Sequence, residues 1–226
     1  MERLDWEPPA QLPFHFHVYE VADCLPPGWR KSLLQVAAEA AERRSFRPTM
    51  STAREQADVE IPMESVNGSV LRARAPWLFD LYAGWFRELA QRLSPEELQL
   101  TSTDDRALSL NVQRGDGARY PCHVDSNPMQ GLLYLTDVTA ASGGGLAVSM
   151  DMAAKNVLEV DARSRVLHPR SGQLYLFDAR RHPHYVQPVR EADGLRVVLT
   201  MNYYSASCPE TARPADLDDR LFTAAD

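Results

Sequence analysis

Cysteine is scarce: Cys24, Cys122 and Cys208 are the only three in 226 residues. So few and so scattered a set excludes a disulfide framework and a structural zinc site, and suits a reduced, cytoplasmic setting. Long apolar runs are missing as well. No stretch of about 18 apolar residues occurs, so no segment reads as a membrane span. The opening MERLDWEPPAQLP lacks the basic start and apolar centre of a signal peptide. Cations are outnumbered, 24 Lys and Arg against 31 Asp and Glu, for a net charge of −7. Gripping a phosphate backbone takes clustered Lys and Arg, so no nucleic-acid partner is expected.

What is present is ordinary for a globular protein: 44% hydrophobic and 24% charged residues. The length suits one domain over residues 1–226. The texture changes near residue 105. Before it, PGWRKSLLQVAAEAAERR (27–44) and APWLFDLYAGWFRELAQRL (75–93) carry helical spacing, the second through Leu78, Leu81, Trp85, Phe86 and Leu89. FHFHVYEV ahead of them alternates like a strand. Residues 45–74 show neither period clearly, the signature of a lid or binding loop. From 106 to 205 come short alternating segments punctuated by Gly, Pro, Asn and Asp: RALSLNVQ, MQGLLYLTDV, GGLAVSM, SRVLHP, GQLYLFDA, HYVQPV and LRVVLTMNYY. Residues 206–226, rich in Pro, Asp and Ala, read as a peripheral tail. The expected class is α+β: a double-stranded β-helix (jelly-roll) core with N-terminal helices packed on one of its sheets.

Within YPCHVDSNP (120–128), His123 and Asp125 stand two apart. Six His and 17 Asp in this chain make about 0.45 such pairs by chance, so the pair alone says little. On an extended segment, however, both side chains point to one side and are able to reach one metal ion. RRHPHYVQPV (180–189) offers a third ligand in His182 or His184. Two His and one carboxylate on one face of an octahedron leave three positions open, the arrangement of non-haem iron(II) oxygenases.

Alternation along LRVVLTMNYY puts Arg196, Val198, Thr200 and Asn202 on one face. A guanidinium turned into an apolar barrel is costly unless it meets an anion, and its fork fits a carboxylate in bidentate fashion. No acidic residue of the chain is obviously assigned to Arg196, and a dicarboxylate would fill that role.

The segment from Ser109 to Tyr204 resembles the iron(II)- and 2-oxoglutarate-dependent dioxygenases of the prolyl-hydroxylase type. The resemblance lies in YPCHVDSNP, LLYLTD, GGGLAV, HPRSGQLYLFDARRHPHYVQPV and LRVVLTMNYY, in that order, and in the PHxVxPV phrase around the second histidine. It covers about 95 residues. It implies an enzyme that takes Fe(II), 2-oxoglutarate and O2, with His123, Asp125 and His184 as iron ligands. It further implies that Arg196 and Tyr134 hold the distal carboxylate of 2-oxoglutarate, and that Gly144 and Gly145 form a structural turn. The insert READG lengthens the spacing from His184 to Arg196 beyond the family's usual one. Related halogenases have Gly or Ala in place of the aspartate, so Asp125 favours hydroxylation, desaturation or cyclisation.

Related oxygen-sensing prolyl hydroxylases carry a tyrosine and a tryptophan where this chain has Gln113 and Asn202, which points to a more polar substrate than a proline ring. Ser109, Asn111 and Gln113 form a polar strand face, and Tyr120, Thr200 and Asn202 are placed to look into the same space. Arg54, Arg72 and Arg74, in or beside the 45–74 stretch, are candidates for clamping a substrate carboxylate. The expected substrate is a free amino acid or similar small polar metabolite, with a peptide or protein residue as the nearest alternative. From a different class, a cupin-like binding protein without oxygenase chemistry would share the barrel. A demethylase of alkylated bases fits poorly, since Arg196-Val-Val replaces its Arg-x-Asn and the overall charge is wrong for DNA.

Overall fold

The computed structural model describes residues 16–46, 51–55, 60–178, 180 and 182–217. Expectations for residues 1–15, for 47–50 and 56–59 of the irregular stretch, and for 218–226 of the tail fall outside them.

Eleven strands are present among the described residues: β1 (Phe16–Glu20), β2 (Glu42–Phe46), β3 (Ile61–Val66), β4 (Leu108–Arg114), β5 (Tyr120–His123), β6 (Met129–Tyr134), β7 (Leu146–Ser149), β8 (Ser164–Leu167), β9 (Gln173–Phe177), β10 (His184–Val186) and β11 (Leu195–Tyr203). They form a seven-stranded sheet in the order β1-β9-β6-β11-β4-β3-β2 and a four-stranded sheet in the order β5-β10-β7-β8. Every pairing is antiparallel. The fold is α+β with a double-stranded β-helix core.

Period-two alternation sorts side chains of the large sheet between two cores. Val197, Leu199, Met201 and Tyr203 of β11, with Leu108, Leu110 and Val112 of β4 and Leu133 of β6, face a helical layer. Val198, Leu132, Tyr134, Tyr175 and Phe177 face the small sheet, where they meet Leu146, Val148 and Val186. The helices on the outer face are α1 (Trp29–Ala40), α2 (Gly68–Arg74), α3 (Trp77–Leu81) and α4 (Arg87–Gln91), the last two joined by a π-helical turn, Tyr82–Phe86. That turn is kinked at Gly84 (φ −101°, ψ −106°). It also bolts the layer to β11: Tyr82 stacks on Tyr203 with ring centroids 4.8 Å apart, and the Tyr203 hydroxyl donates to the Tyr82 carbonyl at 3.0 Å.

Two expectations need correction. Among the described residues of 45–74 the chain is not a free lid: β2 and β3 extend the large sheet, and α2 follows. Their pattern hides this because β2 is a charged terminal strand (ERRSF) and β3 contains Pro62 and Glu64, features tolerated near a sheet edge. The described part of the tail, 206–217, is not peripheral either. Asp216 accepts from the Ser51 backbone N–H at 2.7 Å, Glu210 accepts from Ser102 N–H at 2.7 Å, and Leu217 is buried.

α5 (Asp104–Ala107) is capped by the Thr103 hydroxyl, which accepts from the Arg106 N–H, and it lies against Gly68 at the start of α2. A Cβ at residue 68 would sit 1.8 Å from the Asp104 carbonyl oxygen. Gly68→Ala must therefore push the two helices apart, and we expect it to lower unfolding stability by about 1–3 kcal/mol in urea denaturation. An unchanged midpoint would contradict this close approach.

Candidate metal and cosubstrate site

β5 and β10 are neighbours in the small sheet, and their register places His184 directly across from His123. Asp125 follows two residues beyond His123, where the chain leaves β5. These three side chains each offer a ligand atom within 4.8 Å of the others. His123 Nε2 lies 3.5 Å and His184 Nε2 3.7 Å from Asp125 Oδ1. In both imidazoles the other nitrogen is turned to the backbone carbonyl two residues earlier in the chain. His123 Nδ1 is 2.8 Å from the Pro121 oxygen, and His184 Nδ1 is 2.9 Å from the His182 oxygen. A carbonyl only accepts, so each Nδ1 carries the proton and each Nε2 presents a lone pair inward. Asp125 Oδ2 is buried with no hydrogen-bond partner, an arrangement that is costly unless a cation faces it. The residues fit a divalent metal. His182 does not join them; its ring nitrogen Nδ1 lies 3.2 Å from the Ser149 carbonyl.

Electrostatics agree. Burial first, then the charge on His123, push the His184 imidazole down to about 4, with Asp125 opposing. Burial by itself would raise the Asp125 carboxyl, but the His184 and His123 charges, supported by Arg213, outweigh it and hold it below its ordinary value. At neutral pH the His184 ring is neutral and the carboxylate ionised, as metal ligation requires. Tyr120, whose ring centroid is 5.1 Å from that of His123, has its phenol pushed up to about 12 by burial and by Asp125. It stands beside the triad as a neutral hydroxyl.

Deeper in the barrel lies Arg196, 4% exposed on β11. Its Nη1 donates to Gln113 Oε1 at 2.7 Å and its Nη2 to the Tyr134 hydroxyl at 3.2 Å, while Nε is buried without a partner. Gly144 has φ +74°, and a Cβ there would come 3.2 Å from Arg196 Cδ, so glycine serves both the turn and the arginine's room. A buried guanidinium with neutral partners and a spare donor awaits an anion.

The triad and Arg196 line one cavity of about 160 Å³. Asn111, Tyr120, Thr200 and Asn202 also line it, as their strand positions suggested. Gln113 does not; it is buried as the partner of Arg196. Arg72 and Arg74 are elsewhere, on exposed turns of α2, because each has a nearer anion: Arg72 is bidentate to Asp104 (2.7 and 3.0 Å) and Arg74 pairs with Glu39. Arg54 turns to the carbonyls of Ser51 and Ala53.

Two wall elements carried no periodic signal, although the first lies inside the 45–74 stretch expected to be a lid or binding loop. Residues 51–55 run along β5 as an added edge: Ala53 bridges His123, Val124 N–H donates to the Thr52 carbonyl at 3.0 Å, and Glu55 accepts from Cys122 N–H at 2.7 Å while pairing with Arg119. The tail brings Arg213 and Leu217 to the cavity. Both are contacts between segments far apart in sequence, in stretches without periodicity.

Residues 108–204 match the model of the 2OG-Fe(II) oxygenase superfamily. The match spans the strands that carry the triad and Arg196, so this part of the chain is similar to the core of that superfamily. The oxygenase fold is also that of several solved structures. One is the non-haem α-ketoglutarate-dependent epimerase SnoN from nogalamycin biosynthesis (TM-score 0.61, 18% identity, covering 95% of this chain and 86% of that one). Another is HygX from Streptomyces hygroscopicus with nickel and 2-oxoglutarate bound (TM-score 0.57, 14% identity, 95% and 93%). A third is a prolyl hydroxylase from Trichoplax adhaerens in complex with a hypoxia-inducible-factor peptide fragment (TM-score 0.57, 17% identity, 85% and 84%). A search of curated proteins gives no match. The oxygenase family uses Fe(II), 2-oxoglutarate and O2, and no helix among the described residues is long and apolar enough to cross a membrane.

The His184 shift has a measurable consequence in the metal-free protein. Its folded value, about 4, lies below the ordinary 6.5, so between these pH values the unfolded chain binds more protons and acid favours unfolding. Stability of the protein without metal should fall as pH drops from 6.5 towards 4, by up to about 3 kcal/mol from this residue. Urea midpoints across that range should change less steeply for His184→Gln; equal slopes would refute the assignment.

Proposed function

We propose that this oxygenase hydroxylates a free amino acid or similarly small polar metabolite, with His123, Asp125 and His184 as iron ligands and with Arg196 and Tyr134 holding the far carboxylate of 2-oxoglutarate. The observation that carries the cosubstrate assignment is the buried Arg196, whose protein partners are neutral and whose Nε has none. With Fe(II) bound, 2-oxoglutarate and O2 supply the oxidant: the cosubstrate ends as succinate and CO2, and one oxygen atom enters a substrate C–H bond as hydroxyl. The chain's own residues do the rest. The two Nδ1–H bonds to backbone carbonyls hold the imidazoles in the ligating tautomer. Gln113 and Tyr134 fix the guanidinium, so that little ordering remains when the cosubstrate carboxylate arrives. Leu132, Leu146 and Val198 form an apolar sleeve beside it, excluding water from the ion pair.

The substrate reading rests on the wall above the triad. Asn111, Thr200 and Asn202 present amides and a hydroxyl, while segment 51–55 and the tail narrow the approach. A small polar molecule suits this space better than a peptide chain. Among the structural neighbours are an epimerase and a peptide-binding prolyl hydroxylase, so overall likeness does not choose between small and large substrates and the wall residues must.

Three outcomes are expected. In anaerobic isothermal titration, Arg196→Ala should weaken 2-oxoglutarate binding by about a hundredfold, the scale of a buried charge pair broken on one side; unchanged affinity would remove Arg196 from the cosubstrate site. Metal content after loading with Fe(II) should collapse in His184→Ala and persist in His182→Ala, and the reverse order would overturn the triad. In the intact protein, succinate release stimulated by one member of an amino-acid panel tests the substrate reading; silence across the panel favours a macromolecule.

A further inference from the structure

Two amides in the cavity wall have their orientation set by backbone carbonyls, and each leaves one end unused. Asn202 Nδ2 donates to the Arg106 carbonyl at 2.7 Å. A carbonyl only accepts, so the nitrogen must face it, and Asn202 Oδ1 is the end turned away. On β6 one more residue intervenes. Asn127 Nδ2 donates to the Met129 carbonyl at 2.8 Å, which fixes the Asn127 amide, and the same nitrogen lies 3.0 Å from Gln130 Oε1. A donor faces that atom, so it is the oxygen, and the Gln130 NH2 is the free end. These are the only hydrogen bonds the Gln130 and Asn202 amides make among the described residues.

Register puts the two free ends together. Asn202 on β11 is paired directly with Gln130 on β6, and both line the cavity. Directly opposed residues have Cβ atoms about 5 Å apart, so a free acceptor and a free donor stand side by side. Gln130 is in turn paired with Phe177 on β9, whose ring stands edge-on to His184 with centroids 6.4 Å apart. Asn127, which orients Gln130, lies two residues beyond Asp125. The amide pair is thus one neighbour away from the metal triad on two sides. We propose that Gln130 and Asn202 hold the side-chain carboxamide of an amino-acid substrate, Gln130 Nε2 donating to its oxygen and Asn202 Oδ1 accepting from its NH2. The inference rests on the amino-acid hydroxylase reading above and names the substrate group which that site selects.

A neutral donor beside a neutral acceptor matches a group that has both. A carboxylate offers no hydrogen to Asn202 Oδ1 and sets oxygen against oxygen, and an ammonium offers no acceptor to the Gln130 NH2. An apolar side chain leaves both wall atoms unmatched, and Gln130 is only 8% exposed, so little water reaches it. A carboxamide carries its acceptor and donor on separate atoms, as the wall does. The remaining polar wall is less suited. The Ser109 and Thr200 hydroxyls bond each other at 2.7 Å. Among the described residues nothing bonds the Asn111 amide, so nothing fixes which of its ends faces the cavity. Gln130 and Asn202 are ordered before the substrate arrives, which keeps the cost of recognition low.

The test uses the whole protein loaded with Fe(II) and 2-oxoglutarate without oxygen. It is titrated calorimetrically with the proteinogenic L-amino acids, asparagine and glutamine being set against aspartate and glutamate. One of the two carboxamides should bind, with its acid weaker by about tenfold or more. Gln130→Met keeps the length and loses the donor; it should weaken the carboxamide by about tenfold and erase its advantage over the acid. Gln130→Glu keeps an oxygen towards Asn127 and puts an acceptor where the donor was, so it should weaken the carboxamide at least as much. Binding of 2-oxoglutarate by these variants reports that they are folded. The exposed Arg72→Gln should keep the preference. If neither Gln130 variant folds, the amide and acid series on the unaltered protein still decides. Acids bound as tightly as carboxamides, or binding confined to amino acids without a carboxamide, serine and threonine included, overturns the inference and leaves the amino-acid reading standing. No amino-acid binding beside normal 2-oxoglutarate binding overturns both.

Discussion

The two-residue alternation of β11 is the constraint on which the molecule depends. One row of its side chains, Val197, Leu199, Met201 and Tyr203, is packed under the helices, and that packing fixes where the other row must point. Arg196, Val198, Thr200 and Asn202 have no choice but to face the cavity. A slip by one residue would put a guanidinium under the helical layer and methionine in the site. The large hydrophobic contact on the back of the sheet therefore does functional positioning on its front, and the Tyr82–Tyr203 stack links the two.

Along the cavity, chemistry is graded. The inner end pairs an apolar sleeve with one buried cation, a setting in which a carboxylate gains from low polarity around it. The middle gathers two lone-pair nitrogens and a carboxylate. The outer end is lined by amides, hydroxyls and opposed charges. Each zone comes from a different pairing: β11 with β4 and β6 for the inner end, β5 with β10 for the middle, and α5 with the tail for the outer end.

What was legible in the sequence follows the same gradient. Strands β4, β6, β7, β9 and β11 announce themselves because they are central and form mostly buried apolar runs between turn residues. His123, Asp125 and His184 were readable because a fixed spacing on one strand and a characteristic phrase on another mark them. Gln113 was placed correctly on the polar face of β4 but given the wrong neighbour: register sets it opposite Arg196, and cross-strand register is not visible in a single strand's pattern. β2 and β3 went unseen because the edge strand β2 and its neighbour β3 carry charge and proline that mask the period. Arg72 and Arg74 looked like clamps only because Asp104 and Glu39, their actual partners, are distant in sequence. Arg213 had no signal at all, since a residue in an aperiodic tail acquires its meaning from where the tail is tied down.

The two histidines share a further property. Each imidazole bonds to the carbonyl two residues earlier in its own chain, Pro121 for His123 and His182 for His184. Orientation of the inner nitrogens is thus written into the main chain and borrowed from no other side chain. Such an arrangement is resistant to drift: substitutions around the barrel are able to reshape the substrate wall or retune the cosubstrate pocket, yet none of them removes the acceptor that sets either ring. The part of the site with the least tolerance for error is the part with the fewest dependencies, and the walls around it are left free to diversify.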